Sequence, residues 1–245
     1  MGQIYRIAER TIEIDALHQF IHQHCAAYKV NGVPDFAVKT VQADIDFERE
    51  KSEQGDRSAG RPIRHYSDDY LETLAVYRKI AEKMLEYDTM LFHGSAIAVE
   101  GRAYLFTARS GVGKSTHTRL WRELLGEKAV MVNDDKPLIR ITDTEAIVYG
   151  TPWDGKHHLS SNVAVPLKAI CILEQAPDNS IRPVTRTDAL PMLIQQTYRP
   201  AKPAALVKTL SLIDSLSGCV ALYRLGCNMD LRAAELSYQT MKEGK

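Results

Sequence analysis

Residues 108–116, Ala-Arg-Ser-Gly-Val-Gly-Lys-Ser-Thr, form the stretch of the sequence with the clearest capacity for chemistry. Gly111 and Gly113 allow the backbone to curl so that successive N–H groups point at phosphate oxygens. Lys114 supplies a cation to the β- and γ-phosphates, and the Ser115 hydroxyl is placed to ligate the Mg²⁺ that bridges them. This pattern predicts a phosphate-binding loop, and an ordinary glycine-rich turn is the alternative.

The flanking sequence predicts the strand and the helix that must position this loop. Residues 102–107 form an aromatic and aliphatic run, and residues 115–125 place leucines and a tryptophan on one helical face. The first position of the pattern GxxxxGK[ST] is Ala108 instead of glycine, and its methyl group removes no phosphate-facing amide. The residues expected to bind the nucleotide are Arg109, Ser110, Gly111, Val112, Gly113, Lys114, Ser115 and Thr116.

Two adjacent carboxylates, Asp134 and Asp135, follow the apolar run at 129–133. The interval after Lys114 holds one helix, one turn and one strand, which returns the pair to the sheet edge that carries the loop. One carboxylate is expected in the Mg²⁺ shell, while the other accepts the proton of an attacking hydroxyl. A turn that merely favours Asp-Asp is the alternative.

Three further side chains are candidates for the same site. His93 precedes a hairpin whose second strand enters the loop, so it either orients the aspartates or makes a structural hydrogen bond. Residues 151–158, Thr-Pro-Trp-Asp-Gly-Lys-His-His, contain Lys156, which is expected to neutralise the transferring phosphoryl group. Trp153 is expected to shield the site from water. A surface turn is the alternative for this stretch.

The sequence resembles the HPr kinase/phosphorylase family and its short kinase-like relatives, which share a catalytic fold with phosphoenolpyruvate carboxykinase. The resemblance covers roughly residues 90–175 and rests on His93-Gly94, Ser110–Ser115 and Asn133–Asp135, which occur in the same order and at similar spacing. It implies an α/β fold with a mixed central β-sheet, flanked by helices and preceded by a small β-rich extension.

The resemblance also implies an activity, the ATP- and Mg²⁺-dependent phosphorylation of a serine-type hydroxyl. The acceptor would be a serine of a protein or peptide, or a small hydroxy amino acid, with Asp134 as the base and Asp135 nearer the metal. A nucleotide-binding regulator that holds ATP without transferring phosphate is the main alternative. A hydrolytic ATPase is a third reading and needs a water-positioning residue and usually a transition-state arginine. Arg109 could be offered for that role, but a solvated side chain is the preferred interpretation of Arg109.

The remaining sequence predicts how the chain is organised. Residues 1–66 are expected to form the β-rich extension and residues 67–245 the kinase domain, although the two could be continuous. Within the extension we expect strands at 4–8, 11–16 and 36–47 and a mobile polar loop at 48–62. A long amphipathic helix is expected at 67–87.

The composition of the chain limits the classes of partner that it is expected to bind. Its 245 residues have a formal net charge of zero and are 44% hydrophobic, which gives no electrostatic argument for nucleic acid binding. Neither a signal peptide nor a membrane span is expected. The four cysteines are scattered without CxxC pairs, which favours reduced thiols and a cytoplasmic location. The sequence leaves open whether the chain forms a homo-oligomer.

Overall fold

The structure, a computed structural model, describes residues 2–244 and divides into two compact units, Met1–Lys83 and Met84–Lys245. The domain boundary expected after residue 66 lies before the helix that completes the first unit. Whether the two units are separate domains stays a prediction.

The first unit combines a small sheet with three helices. Its strands are β1 (Gln3–Ile7), β2 (Arg10–Asp15) and β3 (Phe36–Lys39), and its helices are α1 (Phe20–His24), α2 (Gln42–Ser58) and α3 (Asp68–Met84). Strand β2 lies between β1, which is antiparallel to it, and β3, which is parallel to it. The strand predicted at 36–47 is too long, because the chain leaves the sheet after Lys39 and soon enters α2.

The prediction of a loop at 48–62 is wrong, because α2 continues to Ser58. The segment lacks an apolar repeat, yet it is held by ion pairs that its sequence does not reveal. Glu48 is buried and accepts from Arg78 Nε of α3 at 2.6 Å. Asp56 is also buried and pairs with Arg64 Nη2 at 3.0 Å. Paired charges therefore take the place of the hydrophobic face that identifies most helices.

The second unit is built on one nine-stranded sheet. Its strands are β4 (Thr89–Leu91), β5 (Ser95–Val99), β6 (Arg102–Thr107), β7 (Ala129–Asn133), β8 (Leu138–Ile141), β9 (Ala146–Tyr149), β10 (Ala164–Gln175), β11 (Ser180–Pro183) and β12 (Ala221–Cys227). The sheet order is β4-β8-β9-β10-β6-β5-β7, and β12 pairs with both β10 and β11. The hairpin predicted before the loop is confirmed as β5–β6, and β8 and β9 form a second hairpin.

Strand directions bring several strand ends to one edge of this sheet. Strand β10 is parallel to β6 and to β12, and β5 is antiparallel to both β6 and β7. The carboxyl ends of β6, β7, β10 and β12 therefore share one edge, which we call the carboxyl edge. The fold is thus α/β with a mixed sheet, as predicted, and this edge is where ligands bind in many open α/β sheets.

Helices cover both faces of the sheet. One face packs against α5 (Arg186–Gln196) and α6 (Pro203–Cys219), and the other packs against α4 (Lys114–Leu125) and α7 (Leu231–Glu243). Residues alternate between the two cores along β5 and β6, as a sheet buried on both faces requires. Among the described residues, no helix is both long and apolar enough to cross a membrane.

Candidate functional site

The loop at 108–113 joins the end of β6 to the start of α4 at the carboxyl edge. Gly111 and Gly113 have φ angles of +84° and +119°, in the left-handed region that side chains disfavour. Helix α4 begins after Gly113 without a side-chain cap, so its first N–H groups remain available to an anion. The predicted strand, loop and helix are therefore present in this order, and phosphate binding by the loop stays a prediction.

Ala108 stands where the pattern has glycine, and its surroundings explain why a side chain is tolerated. Its φ is negative, so the backbone does not require glycine. The residue is fully buried in the core on the α4 face of the sheet, where its methyl group packs with apolar neighbours such as Phe106. The substitution therefore contributes to packing at the loop entrance and leaves the curled part of the loop to the two glycines.

Lys114 lies inside the loop, where its ammonium group donates to the carbonyl of Ala108 at 3.2 Å. Burial lowers the pKa of Lys114, and the negative charges of Asp135 and Asp134 oppose that shift. The lysine is therefore close enough to the aspartate pair to feel the charge of both carboxylates, and its role in binding phosphate stays a prediction.

Asp134 is buried at the end of β7, with 6% of its surface exposed. It accepts a hydrogen bond from Ser95 Oγ at 2.6 Å, and the same hydroxyl lies 2.9 Å from Thr118 Oγ1 of α4. Burial raises the pKa of Asp134, and the nearby hydroxyls of Ser95 and Ser115 only partly offset this. Ser95 thus links the first aspartate to the helix that follows the loop.

Asp135 is more open, since 30% of its side chain is exposed. Its Oδ1 lies 3.3 Å from His93 Nε2, and its Oδ2 lies 3.7 Å from Lys136 Nζ. Burial by itself would raise the pKa of Asp135. The hydrogen bond from His93 and the charges of Lys136, His93 and Lys114 outweigh burial, so the pKa is lowered and the group is ionised at neutral pH.

His93 is held in place by its backbone, in the connection between β4 and β5. Its N–H donates to the carbonyl of Gln196 at 2.8 Å, and its own carbonyl accepts from Thr107 Oγ1 at 3.0 Å. The next residue, Gly94, donates its N–H to the carbonyl of Asp135 at 3.0 Å. The contacts with Gln196 and Thr107 therefore fix the backbone of His93, and the N–H of Gly94 holds that backbone next to Asp135.

Asn133 is a further residue of this site, although the sequence predicts no role for it. Its side-chain oxygen accepts from the backbone N–H of Asp135 at 2.9 Å and of Lys136 at 2.7 Å. Its side-chain amide donates to the carbonyls of Thr151 at 3.1 Å and Trp153 at 3.3 Å. Asn133 thus fixes the turn that carries the aspartates and ties it to the 151–158 loop.

The 151–158 loop lies against the aspartate pair. Gly155 has a φ of +75°, and a Cβ placed there would be 3.4 Å from Asp135 Cβ. The loop is anchored by buried Asp154, which accepts from Ser160 Oγ at 2.9 Å and contacts His158 Nδ1 at 3.0 Å. The next residue after Gly155, Lys156, is exposed at the tip.

The remaining site residues predicted from the sequence differ in how far they are buried. Trp153 is 4% exposed, so its side chain belongs to the interior, and its role in shielding the site stays a prediction. Arg109 and Ser110 are exposed at the loop, whereas Val112 and Thr116 are partly buried. Roles for these residues and for Lys156 in binding stay predictions.

The donor set at the carboxyl edge suits a particular class of metal. Within residues 2–244, no three side chains from His, Cys, Asp and Glu converge to form a metal cage. The edge does offer two neighbouring carboxylates and the Ser115 hydroxyl, all oxygen donors. Such a sparse oxygen set fits Mg²⁺ held jointly by protein and substrate phosphates, because Mg²⁺ usually keeps several non-protein ligands.

Comparison with known families decides where this chain belongs. Residues 64–202, more than half of the chain, match the family described as SynChlorMet cassette protein ScmC. The chain belongs to the ScmC family. The part that matches the ScmC family contains the loop at 108–113, the aspartate pair and the 151–158 loop. The family description names no reaction.

One solved structure provides a distant comparison for this member of the ScmC family. The Hpr(Ser) kinase/phosphatase from Coxiella burnetii is similar over 63% of this chain and 99% of its own, with 9% sequence identity and a TM-score of 0.34. At this identity and TM-score the relationship is distant. No curated protein matches the chain.

Proposed function

We propose that this protein is a Mg²⁺-dependent kinase that transfers the γ-phosphoryl group of ATP to a hydroxyl group. The acceptor would be a serine of a protein or peptide, or a small hydroxy amino acid. The observation that carries the proposal is the link from Asp134, which follows β7, through Ser95 to Thr118 of the helix that begins at the loop lysine, with contacts of 2.6 and 2.9 Å. A phosphate loop joined in this way to a carboxylate is the arrangement used for metal-assisted phosphoryl transfer.

The loop would position the triphosphate. The N–H groups at the start of α4 would bind phosphate oxygens, and Lys114 would neutralise charge on the β- and γ-phosphates. The lysine donates to the Ala108 carbonyl, and binding would exchange that carbonyl for a phosphate oxygen. Losing one such electrostatic contact usually slows a reaction by about 10²–10³-fold.

Asp134 and Ser115 would hold the metal on the side of the site next to the loop. When bound there, Mg²⁺ would neutralise charge that develops on the transferring phosphoryl group. Ser95 would keep the Asp134 carboxylate oriented, since it donates to Oδ1 at 2.6 Å from the adjacent strand. This assignment reverses the split that the family resemblance implies, because the Ser115 hydroxyl lies near Asp134, whose pKa it helps to lower.

Asp135 would then accept the proton of the attacking hydroxyl. The carboxylate is ionised at neutral pH, is partly exposed to an incoming acceptor, and is oriented by His93. A correctly placed general base contributes typically about 10²–10⁴-fold to the rate. His93 would act as a positioning residue by holding Asp135, and the 151–158 loop would form the wall on the acceptor side.

The proposal is tested by incubating the purified protein with MgATP and a mixture of hydroxy amino acids and serine-containing peptides, then searching by mass spectrometry for a phosphorylated product. Transfer to one acceptor class supports the kinase. Tight ATP binding without any phosphorylated product would support the regulator instead, and release of free phosphate without an acceptor would support a hydrolytic ATPase.

A further inference from the structure

Ser95 is the first residue of β5 and lies between the two halves of the candidate site. Strand β5 pairs on one side with β6, which leads into the loop at 108–113, and on the other with β7, which leads into the aspartate pair. Because β5 is antiparallel to both strands, its first residue lies at the carboxyl edge, where those two strands end. Ser95 therefore stands between the loop and the aspartates.

An irregularity in the pairing of β5 with β7 determines which side chain Ser95 meets. Val132 of β7 is left out of the pairing, so that the register shifts and Ala96 pairs with Asn133. Continuing this register places Ser95 opposite Asp134, whereas an unbroken register would place it opposite Asn133. Bulges of this kind are common next to functional sites, where they re-aim a side chain. Here the result is the contact of 2.6 Å between Ser95 Oγ and Asp134 Oδ1.

The same hydroxyl is tied to the helix that follows the loop. Ser95 Oγ lies 2.9 Å from Thr118 Oγ1 of α4, and Ser95, Thr118 and Asp134 are all buried. In the form that binds a metal, Asp134 is a carboxylate and can only accept hydrogen bonds. Ser95 then donates its one proton to Asp134, and Thr118 donates to Ser95. The three side chains form a hydrogen-bonded chain from α4 to the first aspartate.

Thr118 also has local partners, because its hydroxyl lies 3.3 Å from the carbonyls of Lys114 and Ser115 in the preceding turn. These contacts are longer than the contact of 2.9 Å with Ser95. Both carbonyls belong to α4, where backbone N–H groups one turn further along bond to them without the hydroxyl. The contact with Ser95 therefore gives this hydroxyl a role beyond the helix.

We propose that Thr118 is a positioning residue that acts through Ser95 on Asp134, and that the strength of Mg²⁺ binding depends on its hydroxyl. The inference rests on the proposed function and goes beyond it by naming a buried residue outside the loop that determines metal affinity. With Oδ1 held by the chain, the Asp134 carboxylate keeps one orientation. Mg²⁺ needs such a fixed ligand, because it demands near-ideal octahedral geometry.

The test measures how much Mg²⁺ strengthens nucleotide binding. Titration calorimetry gives the affinity for adenylyl imidodiphosphate, a non-hydrolysable ATP analogue, in excess EDTA and in excess Mg²⁺. The ratio of the two affinities is the Mg²⁺ enhancement, and the value in EDTA reports on the loop without the metal. Thr118→Val removes the hydroxyl and keeps a similar shape, and Thr118→Ser restores the hydroxyl. Thr187→Val is the same exchange at an exposed position of α5.

We expect Thr118→Val to reduce the Mg²⁺ enhancement about tenfold, as the loss of one buried hydrogen bond allows. Its binding in EDTA should stay within about twofold of wild type, which also shows that the variant is folded. Thr118→Ser should recover most of the enhancement, and Thr187→Val should match wild type. Ser95→Ala should lose at least as much as Thr118→Val, and combining the two should cost nothing further, because the hydroxyls act in series.

An unchanged Mg²⁺ enhancement in Thr118→Val would overturn the role of Thr118. Equal losses in EDTA and in Mg²⁺ would overturn it as well, since they would show damage to the loop and not to the metal site. Additive losses in the double variant would contradict the chain through Ser95. If wild type itself bound the nucleotide no more tightly in Mg²⁺ than in EDTA, the proposed function would fail together with this inference.

Discussion

Asn133 shows what a single residue does for the whole site. The sequence identifies the aspartates, because an acidic pair after an apolar strand is a local pattern. It cannot reveal that Asn133 ties their turn to residues 151–153, since these residues are close only in the fold.

Asn133→Ala would leave buried N–H and carbonyl groups without partners. We expect a loss of about 2–4 kcal/mol in the free energy of unfolding, measured by urea denaturation.

The matched control is Asn162→Ala, at an exposed asparagine in the same unit. It should stay within about 0.5 kcal/mol of wild type. The Asn133 variant should also transfer phosphate more slowly per folded molecule, because the aspartate turn is no longer fixed. Equal stability of the two variants would show that the hydrogen bonds of Asn133 do not hold the turn.

At the scale of elements, strands and helices with a clear apolar repeat were predictable, including the strand and helix around the phosphate loop. Helix α2 was not predictable from the sequence, because ion pairs with distant residues stabilise it.

The 151–158 loop offers a prediction at this scale. Gly155→Ala forces a side chain onto a backbone with φ of +75° and against Asp135, so we expect a loss of about 1 kcal/mol in stability and a clear loss of phosphoryl transfer.

Gly101 is the control that separates the effect of backbone strain from the effect of contact with Asp135. It has the same φ of +75°, and a Cβ placed there would meet nothing within 4 Å. Gly101→Ala in the β5–β6 turn should lose a similar amount of stability and keep its transfer rate. Thermal unfolding and initial rates of both variants provide the comparison. A Gly155 variant with wild-type activity would argue against a loop that borders the reacting groups.

At the scale of the whole molecule, the first unit has its own buried polar centre. Glu72 is fully buried and accepts from the backbone N–H groups of Leu17 and His18 at 2.7 and 2.8 Å, and from Thr40 Oγ1. Burial raises its pKa, but these hydrogen bonds outweigh burial, so the pKa lies below the ordinary value of 4.5. Its contribution to stability is therefore present above pH 4.5 and is lost as the pH falls through the lowered value.

Glu72→Gln should remove this part of the pH dependence and lower the stability at pH 7, because an amide cannot accept from all these donors. The exposed Glu50→Gln is the control and should follow wild type. Urea unfolding followed by far-ultraviolet circular dichroism between pH 7 and pH 3 measures both effects. Parallel curves for wild type and Glu72→Gln would show that this carboxylate does not contribute.

The central claim is that the phosphate loop and the aspartate pair form one phosphoryl-transfer site. Single-turnover transfer from MgATP to the identified acceptor tests it, using wild type, Asp135→Asn and the exposed control Asp143→Asn. We predict that Asp135→Asn binds ATP within about twofold of wild type and transfers phosphate about 10²–10⁴-fold more slowly, with Asp143→Asn unchanged. Transfer by Asp135→Asn at the wild-type rate would contradict the account.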